Sequence, residues 1–504
     1  MMDALIAAPL LLPAFAATAS LLFWLRYRWA GAIVSITSVM GQIGVAIMLM
    51  SRAASGEAIA YALGDWPAPF GVVLVLDRLS ALMLLLTALL GLAVAVHATL
   101  TGMDRKGWHF HPLFQFQLLG INGAFLTGDL FNLFVFFEVL LIASYGLMLH
   151  GQGARRLSAG VQYVVVNLIG SILFLIALGL LYGVTGTLNM ADMAVRAAAL
   201  SAGDRGLLRA GGLLLTLVFA LKAALVPVHL WLPRTYSATA PAVAALFAIM
   251  TKVGAYAIIR TMPLILGDAG AGAFLLPAAL GTMLLGFIGL LAARGLGDMA
   301  AFGLIGSTAT LLTAIALFDG PALAAALYYL PHTTLSAALL FLTVDLIIRW
   351  RGGEDEGIVP TPRYQGRGWL GFQFLAAAVA LVGLPPLSGF IGKLLILQAA
   401  ASSPYMVVIW AMVLGTSLIG LIGLSRAGSD LFWKDASTPP TISDRPLARA
   451  GEAAPAIFLA VLLAALTAAA GPITAYMQAT SAQVLDAQGY IASVLGPDAG
   501  GAGR

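Results

Sequence analysis

The feature of this sequence that most constrains its fold is a succession of apolar segments about 20 residues long, the length that a helix needs to cross the hydrocarbon core of a bilayer. Hydrophobic residues make up 61% of the 504 residues and charged residues only 10%, with a mean hydropathy of +0.98. Soluble domains carry about 25% charged residues. The sequence therefore predicts an all-α polytopic membrane protein that forms a single membrane domain from 1 to 504.

Fourteen spanning helices are predicted from the apolar segments. They lie at about 4–24, 30–50, 73–98, 111–128, 130–149, 159–184, 207–229, 240–262, 271–293, 299–317, 321–348, 369–400, 404–425 and 453–475. The twelfth is too long for one straight helix and contains GLPPLSGF, so we expect it to be broken. A signal peptide is the alternative for the first 24 residues, but Met1-Met2-Asp3 has an acid and no Lys or Arg before the apolar run.

Basic residues are distributed unevenly between the two sides of these spans. Sixteen of the 26 Lys and Arg lie in loops after odd-numbered spans. The other side holds Arg52, Arg196, Arg205, Arg209, Arg260 and Arg504. Four more, Arg78, Lys222, Lys252 and Lys393, are at membrane depth. Because loops rich in Lys and Arg stay in the cytoplasm, both termini are predicted to lie outside it.

Several classes of function are excluded or disfavoured. The chain has no cysteine, which excludes disulfides, thiolate-held iron–sulfur clusters and cysteine-based catalysis. The six His lack a zinc-binding spacing, and the one close pair, His109 and His111, is expected in a loop. No P-loop or dinucleotide fingerprint is present. We therefore expect no cofactor and no metal, and we attribute the net charge of +4 to membrane topology rather than to nucleic-acid binding.

One carboxylate, Glu138, lies inside the apolar run FNLFVFFEVLLIASY (131–145). An ionised group at the bilayer centre costs several kcal/mol, roughly 3 on insertion scales. Three lysines occupy similar depth, namely Lys222, Lys252 and Lys393. Structural pairing of Glu138 with one lysine is the plain alternative, but three lysines exceed one acid. Because burial disfavours the ammonium group, a buried lysine can exchange its proton, whereas arginine stays protonated. The pattern favours a proton relay.

Two of the lysines lie beside helix breakers. Lys222 precedes Pro227 in LKAALVPVHLWLP (221–233), and Lys393 follows Pro385 and Pro386 in GLPPLSGFIGKLLIL (383–397). Proline inside a helix removes a backbone hydrogen bond and frees a carbonyl. Broken helices at corresponding positions of two halves indicate a transport site at an inverted-repeat interface.

Two histidines have open interpretations. His229 either caps the break of the seventh span or serves as an accessory polar group. His332, in YYLPHTTLSAALLFL (328–342), is either a core histidine bonded to Thr333 or Thr334, or a proton carrier.

The stretches GDLFNLFVFFEVLLIASYGLMLHG (128–151), LKAALVPVHLWLP, ALFAIMTKVGAYAIIR (245–260) and LPPLSGFIGKLLIL resemble the antiporter-like membrane subunits shared by Mrp-type (Pha or Mnh) cation/proton antiporters and respiratory complex I. The region around Glu138 and the tail LDAQGYIASVLG (485–496) are most similar to the D-type subunit of the antiporters, ahead of the M- and N-type subunits of complex I.

This resemblance implies two inverted repeats of five helices, helices 4–8 at 111–262 and helices 9–13 at 271–426, with helices 7 and 12 broken. Helices 1–3 (1–110) precede the repeats, and helix 14 (453–475) and a tail (476–504) follow them. It also implies a proton pathway, formed by Glu138, Lys222, Lys252, His332 and Lys393. Accessory polar groups would be His229, Ser307, Thr308, Thr310 and Ser336.

Two positions depart from the family pattern. Many relatives have a lysine four residues after the histidine of helix 11, where this chain has Ser336. Helix 10 has GLIGSTATLL where relatives often have a polar or histidine-containing patch. The route between Lys252 and Lys393 is therefore expected to depend on His332, Ser307 and Thr308, with Thr310.

The sequence thus predicts a proton-translocating subunit of a heteromeric Na⁺ (or K⁺)/H⁺ antiporter in a bacterial plasma membrane. The resemblance implies partner subunits of the A, B, C, E, F and G types besides the lipid bilayer, and no nucleic acid. The alternative is a proton-pumping, M- or N-like subunit of an NADH:quinone oxidoreductase, without redox groups of its own.

Overall fold

The structure is a computed structural model that describes residues 3–24, 29–107, 109–267, 271–352, 356–362, 364–435 and 450–496. Of the basic residues used to predict the topology, six lie outside these ranges: Arg26, Arg28, Arg363, Arg445, Arg449 and Arg504. The predicted orientation of the termini and the end of the predicted tail, 497–504, therefore stay predictions.

Helices dominate the described residues, with one two-stranded antiparallel sheet. The strands are β1 (Ile59–Ala62) and β2 (Val73–Leu76). The helices are α1 (Ala8–Trp24), α2 (Ala30–Ala53), α3 (Arg78–Thr101), α4 (Phe110–Leu126), α5 (Leu130–Met148), α6 (Ala154–Thr185), α7 (Met190–Ala199), α8 (Arg205–Lys222), α9 (Trp231–Ala238), α10 (Pro241–Phe247), α11 (Met250–Ile265), α12 (Ala271–Ala292), α13 (Leu296–Ile315), α14 (Gly320–Trp350), α15 (Arg367–Val382), α16 (Ser388–Ala400), α17 (Met406–Phe432), α18 (Ala454–Ala468), α19 (Ala470–Leu485) and α20 (Ala487–Leu495).

Each of the fourteen predicted spans coincides with one helix or with a consecutive pair of helices. Among the described residues, eleven helical segments are long and apolar enough to cross a membrane, and two shorter apolar helices are α15 and α16. The all-α polytopic fold and the breaks in the seventh and twelfth spans are confirmed, while the count of fourteen crossings stays a prediction. The predicted start of the third span was wrong, because 73–76 form strand β2 and the helix begins only at Arg78. The predicted end of the fourteenth span at 475 falls inside α19, which continues to Leu485.

Corresponding helices of the two halves pack through the same kind of close contact. A Cβ added to Gly123 of α4 would overlap the ring of Phe136 on α5. Gly289 and Phe302, each 166 positions later, have the same relation between α12 and α13. Small residues allow helix backbones to approach closely in membranes. The repeated contact is what a duplicated pair of helices would produce.

Three segments are enclosed by other helices. The span Pro241–Ile265, which consists of α10 and α11, is entirely buried over its most apolar stretch. The apolar stretches of α13 and α14 are each 89% buried. By contrast, α2 and α17 are only one-third buried and have exposed apolar faces. A helix that is apolar on all sides belongs in the interior. Polar groups on α11, α13 and α14 are therefore held inside protein rather than against lipid.

A buried ion pair corrects the placement of Arg260, which the distribution of loop charges predicts on the outer side. Arg260 lies in α11, and its Nη2 donates to Asp77 Oδ2 at 2.5 Å, with both side chains at most 5% exposed. The guanidinium also lies over the rings of Tyr256 and Tyr490. The pair therefore ties the start of α3 to α11 and to α20.

We expect Arg260→Met to destabilise the protein by about 3–5 kcal/mol, because it leaves the Asp77 carboxylate buried and unpaired. The double variant Asp77→Asn/Arg260→Met should regain most of this loss, since asparagine can still accept the bond from the Ser80 amide that caps α3. The stabilities of the single and double variants are compared by thermal unfolding of the purified proteins, with loss of the folded peak in size-exclusion chromatography as the readout. Arg155→Met removes an exposed partner of Glu356 and serves as the control, with a loss below about 1 kcal/mol. A double variant less stable than Arg260→Met would contradict the expectation.

Candidate functional site

The acid and the first lysine of the predicted pathway are both held by α6. Glu138 is half-buried on α5, and its Oε1 accepts a hydrogen bond from Ser171 Oγ. Lys222 is buried at the last position of α8, and its Nζ donates to Asn167 Oδ1 at 3.1 Å. Asn167 and Ser171 are four residues apart, so they lie on the same face of α6.

Glu138 and Lys222 do not form a direct ion pair among the described residues, because each charged head group has its own polar partner on α6. Gly170 of α6 lies against this end of α8, since a Cβ at this position would lie 3.2 Å from Leu221 Cδ2 and 3.6 Å from Lys222 Nζ. The predicted charge switch between the two groups stays a prediction. In the structure, the partner of Glu138, Ser171, and the partner of Lys222, Asn167, lie one turn of α6 apart.

The break in the seventh span follows Lys222 directly. Pro227 and His229 lie in the segment between α8 and α9. Backbone groups near this break are satisfied by side chains: Trp231 Nε1 donates to Leu221 O at 3.2 Å, and Thr282 Oγ1 accepts from Val226 N at 2.8 Å. Irregular backbone is tolerated at membrane depth under this condition. His229 is buried, and its Nδ1 has no hydrogen-bond partner in the described part of the chain.

Lys252 connects the two halves. It is fully buried on α11, and its Nζ donates to Thr308 Oγ1 on α13 at 3.0 Å. Thr251 Oγ1 lies 3.3 Å from the same hydroxyl. The lysine therefore ends at a hydroxyl group of the second half, in the most enclosed part of the molecule.

Next to Thr308, Ser307 begins a hydroxyl cluster that extends from α13 to α14. Its Oγ lies 2.6 Å from Thr333 Oγ1 and 3.1 Å from the hydroxyl of Tyr329. Two other predicted accessory groups donate to their own helices: Thr310 to Gly306 O, and Ser336 to Thr333 O. Thr310 also lies next to the Tyr329 hydroxyl, whereas Ser336 does not join the cluster. The predicted set is thus only partly brought together.

His332 lies within the same stretch of α14, directly before Thr333 and three residues after Tyr329. The imidazole is fully buried, its Nδ1 lies 3.0 Å from Ser388 Oγ, and its ring centroid is 5.2 Å from that of Tyr329. Its Nε2 has no hydrogen-bond partner among the described residues. The suggested hydrogen bond to Thr333 or Thr334 is wrong, because the imidazole is hydrogen-bonded to Ser388 at the start of α16.

Lys393 lies in α16, after the break in the twelfth span that contains Pro385 and Pro386. Its Nζ donates to Val382 O, the last carbonyl of α15, and to Ser417 Oγ of α17, each at 2.7 Å. The ammonium also lies 5.4 Å from the ring centroid of Phe287. The lysine thus satisfies a carbonyl at the helix break and faces α17, whose apolar stretch is only one-third buried.

Several functional contacts were missed by sequence reasoning. They come from six polar residues: Asn167, Ser171, Tyr329, Thr333, Ser388 and Ser417. The only signal for two of them was the spacing of Asn167 and Ser171 in an otherwise apolar segment. Within the described ranges, no cluster of three or more His, Asp or Glu could hold a metal ion.

Three buried lysines, two of them beside broken helices and each hydrogen-bonded to a neutral oxygen, are typical of ion-translocating polytopic membrane proteins. The sequence profile described as "NADH:quinone oxidoreductase/Mrp antiporter, TM" matches residues 127–420. The chain belongs to this family, as its sequence motifs predicted.

Similar proteins cover the whole chain. The D-type subunit of a probable K⁺/H⁺ antiporter from Rhizobium meliloti is 39% identical over 96% of both chains. The D-type subunit of a Na⁺/H⁺ antiporter from Alkalihalophilus pseudofirmus is 35% identical over 98% of this chain and 100% of the relative. A chain of the Mrp complex from Dietzia sp. matches with a TM-score of 0.87 at 28% identity, covering 98% of this chain and 99% of that one. A chain of respiratory complex I from Thermus thermophilus has the same fold, with a TM-score of 0.79 at 23% identity over 96% of this chain and 100% of that chain.

We expect Gly389→Ala to perturb the site from inside α16. A Cβ at this position would lie 2.5 Å from Ala380 O and 2.7 Å from His332 Nε2, so the helix break or the imidazole must move. Overpacking of this kind costs about 1–3 kcal/mol. The unfolding temperature of the purified protein should fall. Gly415→Ala on the neighbouring α17 is the matched control, because no atom lies within 4 Å of its added Cβ; an equal fall in both variants would contradict the expectation.

Proposed function

We propose that this chain is the proton-translocating subunit of a heteromeric Na⁺ or K⁺/H⁺ antiporter in a bacterial plasma membrane. The observation that carries the proposal is that three lysines and a histidine are buried in one membrane domain, each with a neutral hydrogen-bond partner. The names of the two antiporter relatives support the choice of cation/proton exchange. Partner subunits of the A, B, C, E, F and G types belong to the proposal.

The proton pathway runs through Lys222, Lys252, His332 and Lys393. Each amine or imidazole can release and accept a proton, and each has a hydroxyl or amide oxygen within hydrogen-bond distance. Ser307 and Thr308 connect the middle of the pathway, because Lys252 contacts Thr308 and the neighbouring Ser307 contacts α14. His229, Thr310 and Ser336 are accessory polar groups at its margins.

Glu138 is the movable counter-charge of this pathway. Its carboxylate attracts the ammonium of Lys222 and favours its protonated form when the two approach. In the arrangement described, Ser171 and Asn167 hold them apart. Exchange of these partners for a direct ion pair would couple the charge at one end of the pathway to proton movement along it. The inverted repeats at 111–262 and 271–426 supply the two half-channels.

Membership of an NADH:quinone oxidoreductase is the alternative, because the fold is shared with complex I. Purification of the tagged chain with its native partners separates the two. Small hydrophobic partner chains without redox groups support the antiporter, whereas flavin and iron–sulfur proteins would overturn it.

We expect Glu138→Gln to abolish exchange while the complex still assembles, because glutamine keeps the shape but cannot attract Lys222. Exchange is measured by cation-induced dequenching of a pH dye in everted vesicles. We expect the exchange rate to fall at least about tenfold, which corresponds to the loss of about 1.4 kcal/mol of electrostatic interaction. Glu356→Gln is the matched control, since this exposed carboxylate pairs with Arg155 outside the site. Full exchange in Glu138→Gln would refute the charge switch.

We expect Lys393→Ala to abolish exchange and to leave assembly intact. Lys393→Arg tests the chemistry separately, since arginine keeps the positive charge but does not release its proton. Both variants should fail in the same vesicle assay if Lys393 carries protons. Ser417→Ala removes one neutral partner and should retain most of the activity. Wild-type exchange by Lys393→Arg would show that only the charge is needed and would exclude proton transfer through Lys393.

A further inference from the structure

A second polar feature at membrane depth lies outside the lysine pathway, between α2 and α4. We call it the amide seam, and it consists of Ser35, Ser38 and Gln42 on α2 with Gln115 and Asn122 on α4. All five side chains are at most 9% exposed. The spacing of each set puts its members on one face of its helix, so the two faces oppose each other. None of these residues belongs to the predicted proton pathway.

Hydrogen bonds connect the seam continuously. Gln115 Nε2 donates to Ser35 O at 3.2 Å, and Ser38 Oγ donates to Gln115 Oε1 at 3.1 Å. Gln42 Nε2 donates to Ser38 Oγ at 3.2 Å, and Asn122 Nδ2 donates to Gln42 Oε1 at 3.0 Å. Every polar residue of the seam is neutral.

Helix α1 adds a backbone oxygen to the Asn122 end. Pro13 lies inside α1 and has no amide hydrogen, so the carbonyl of Pro9, one turn earlier, is left without its helical partner. Asn122 Nδ2 donates to this carbonyl at 2.9 Å. Freed carbonyls of interrupted helices are the groups that coordinate Na⁺ in membrane transporters.

Unsatisfied acceptors remain at both ends of the seam. Asn122 Oδ1 and Ser35 Oγ are buried and have no hydrogen-bond partner in the described residues. Asn122 is only 2% exposed. An unpaired buried oxygen is destabilising unless a ligand satisfies it. Pro9 O and Gln42 Oε1 both lie at Nδ2 of the same amide, so a half-turn of the Asn122 amide would put its Oδ1 between them and gather three oxygens suited to a cation.

The chemistry of the oxygens selects the ligand. Amide groups do not titrate near neutral pH, so the seam is unsuited to a relay of the kind that the lysines form. Neutral carbonyl and hydroxyl oxygens can replace the hydration shell of an alkali-metal cation, as in selectivity filters. A divalent ion is normally bound by carboxylates, which the seam lacks.

The two ends of the seam differ. At the start of α4, His111 Nε2 lies 3.2 Å from Asp104 Oδ2, and Asp104 Oδ1 has no partner among the described residues. His111 is thus part of a helix and not of the predicted loop. Asp104 is buried, so it places a fixed negative charge near this end of the seam. Beyond Asn122, a small apolar cluster that includes Ile6, Leu49 and Leu126 closes the other end.

We propose that the amide seam is a binding site for one alkali-metal cation, held by Asn122 Oδ1, Gln42 Oε1 and Pro9 O once the Asn122 amide has turned. The site rests on the proposed exchange function for its role, since it would place the exchanged cation in this subunit. Its existence as a binding site does not depend on that role.

Binding of ²²Na⁺ and of ⁸⁶Rb⁺, as a K⁺ analogue, to the purified intact complex tests the site directly. Asn122→Leu and Gln42→Met remove one oxygen ligand each with little change in volume. We expect each to lower cation affinity at least about tenfold, which is about 1.4 kcal/mol, because each removes one of three oxygen ligands. Thr87→Val is the control: Thr87 is a buried residue of α3 outside the seam, and its hydroxyl donates to Met83 O of its own helix.

The outcomes are distinguishable from failure of the proposed function. Unchanged binding of both ions in Asn122→Leu and Gln42→Met would overturn the site and leave the lysine pathway intact. Glu138→Gln should lose exchange but bind the cation normally. If the two truncated variants do not assemble, Asn122→Asp replaces them. The added carboxylate should then tighten binding at least about tenfold, whereas equal affinity in Asn122→Asp and wild type would overturn the site.

Discussion

The cost of placing charge in a low-dielectric interior is the constraint on which this structure depends. The protein lowers this cost by giving each intramembrane lysine at least one neutral oxygen acceptor. The acceptors are Asn167 for Lys222, Thr308 for Lys252, and Val382 O with Ser417 for Lys393. None of these contacts is an ion pair. A lysine bound to a hydroxyl or an amide is solvated but not neutralised, so its proton is held less firmly than in a carboxylate pair.

The buried ion pair between Asp77 and Arg260 is located away from this pathway. It joins the start of α3 to α11, and two tyrosine rings cover the guanidinium. Arginine does not release its proton, so the pair can fix helix packing but cannot relay protons. Arg260 lies two turns along α11 from Lys252. The same helix therefore carries a group that can exchange its proton and a group that cannot.

The sequence predicted the architecture well for a physical reason. Apolar length, Pro227 and Pro385–Pro386 are local signals, and each determines the backbone where it occurs. The partners of the lysines were not predictable, because serine and asparagine in an apolar span also bond to their own helix. Thr310 does so, whereas Ser307 in the same helix reaches α14. Arg260 was misplaced because its partner Asp77 is 183 residues away in the sequence.

Charge also explains why the amide seam and the lysine pathway lie apart. A cation about 4 Å from a protonated lysine would be repelled by about 4 kcal/mol at an effective dielectric constant of 20. A cation site in this molecule must therefore be separated from the lysines yet remain mechanically connected to them. Helix α4 meets both conditions: one face carries Gln115 and Asn122, and its Gly120 packs against the backbone of Leu140, two residues from Glu138. Movement of α4 on cation binding would thus reach the acid through a close glycine contact.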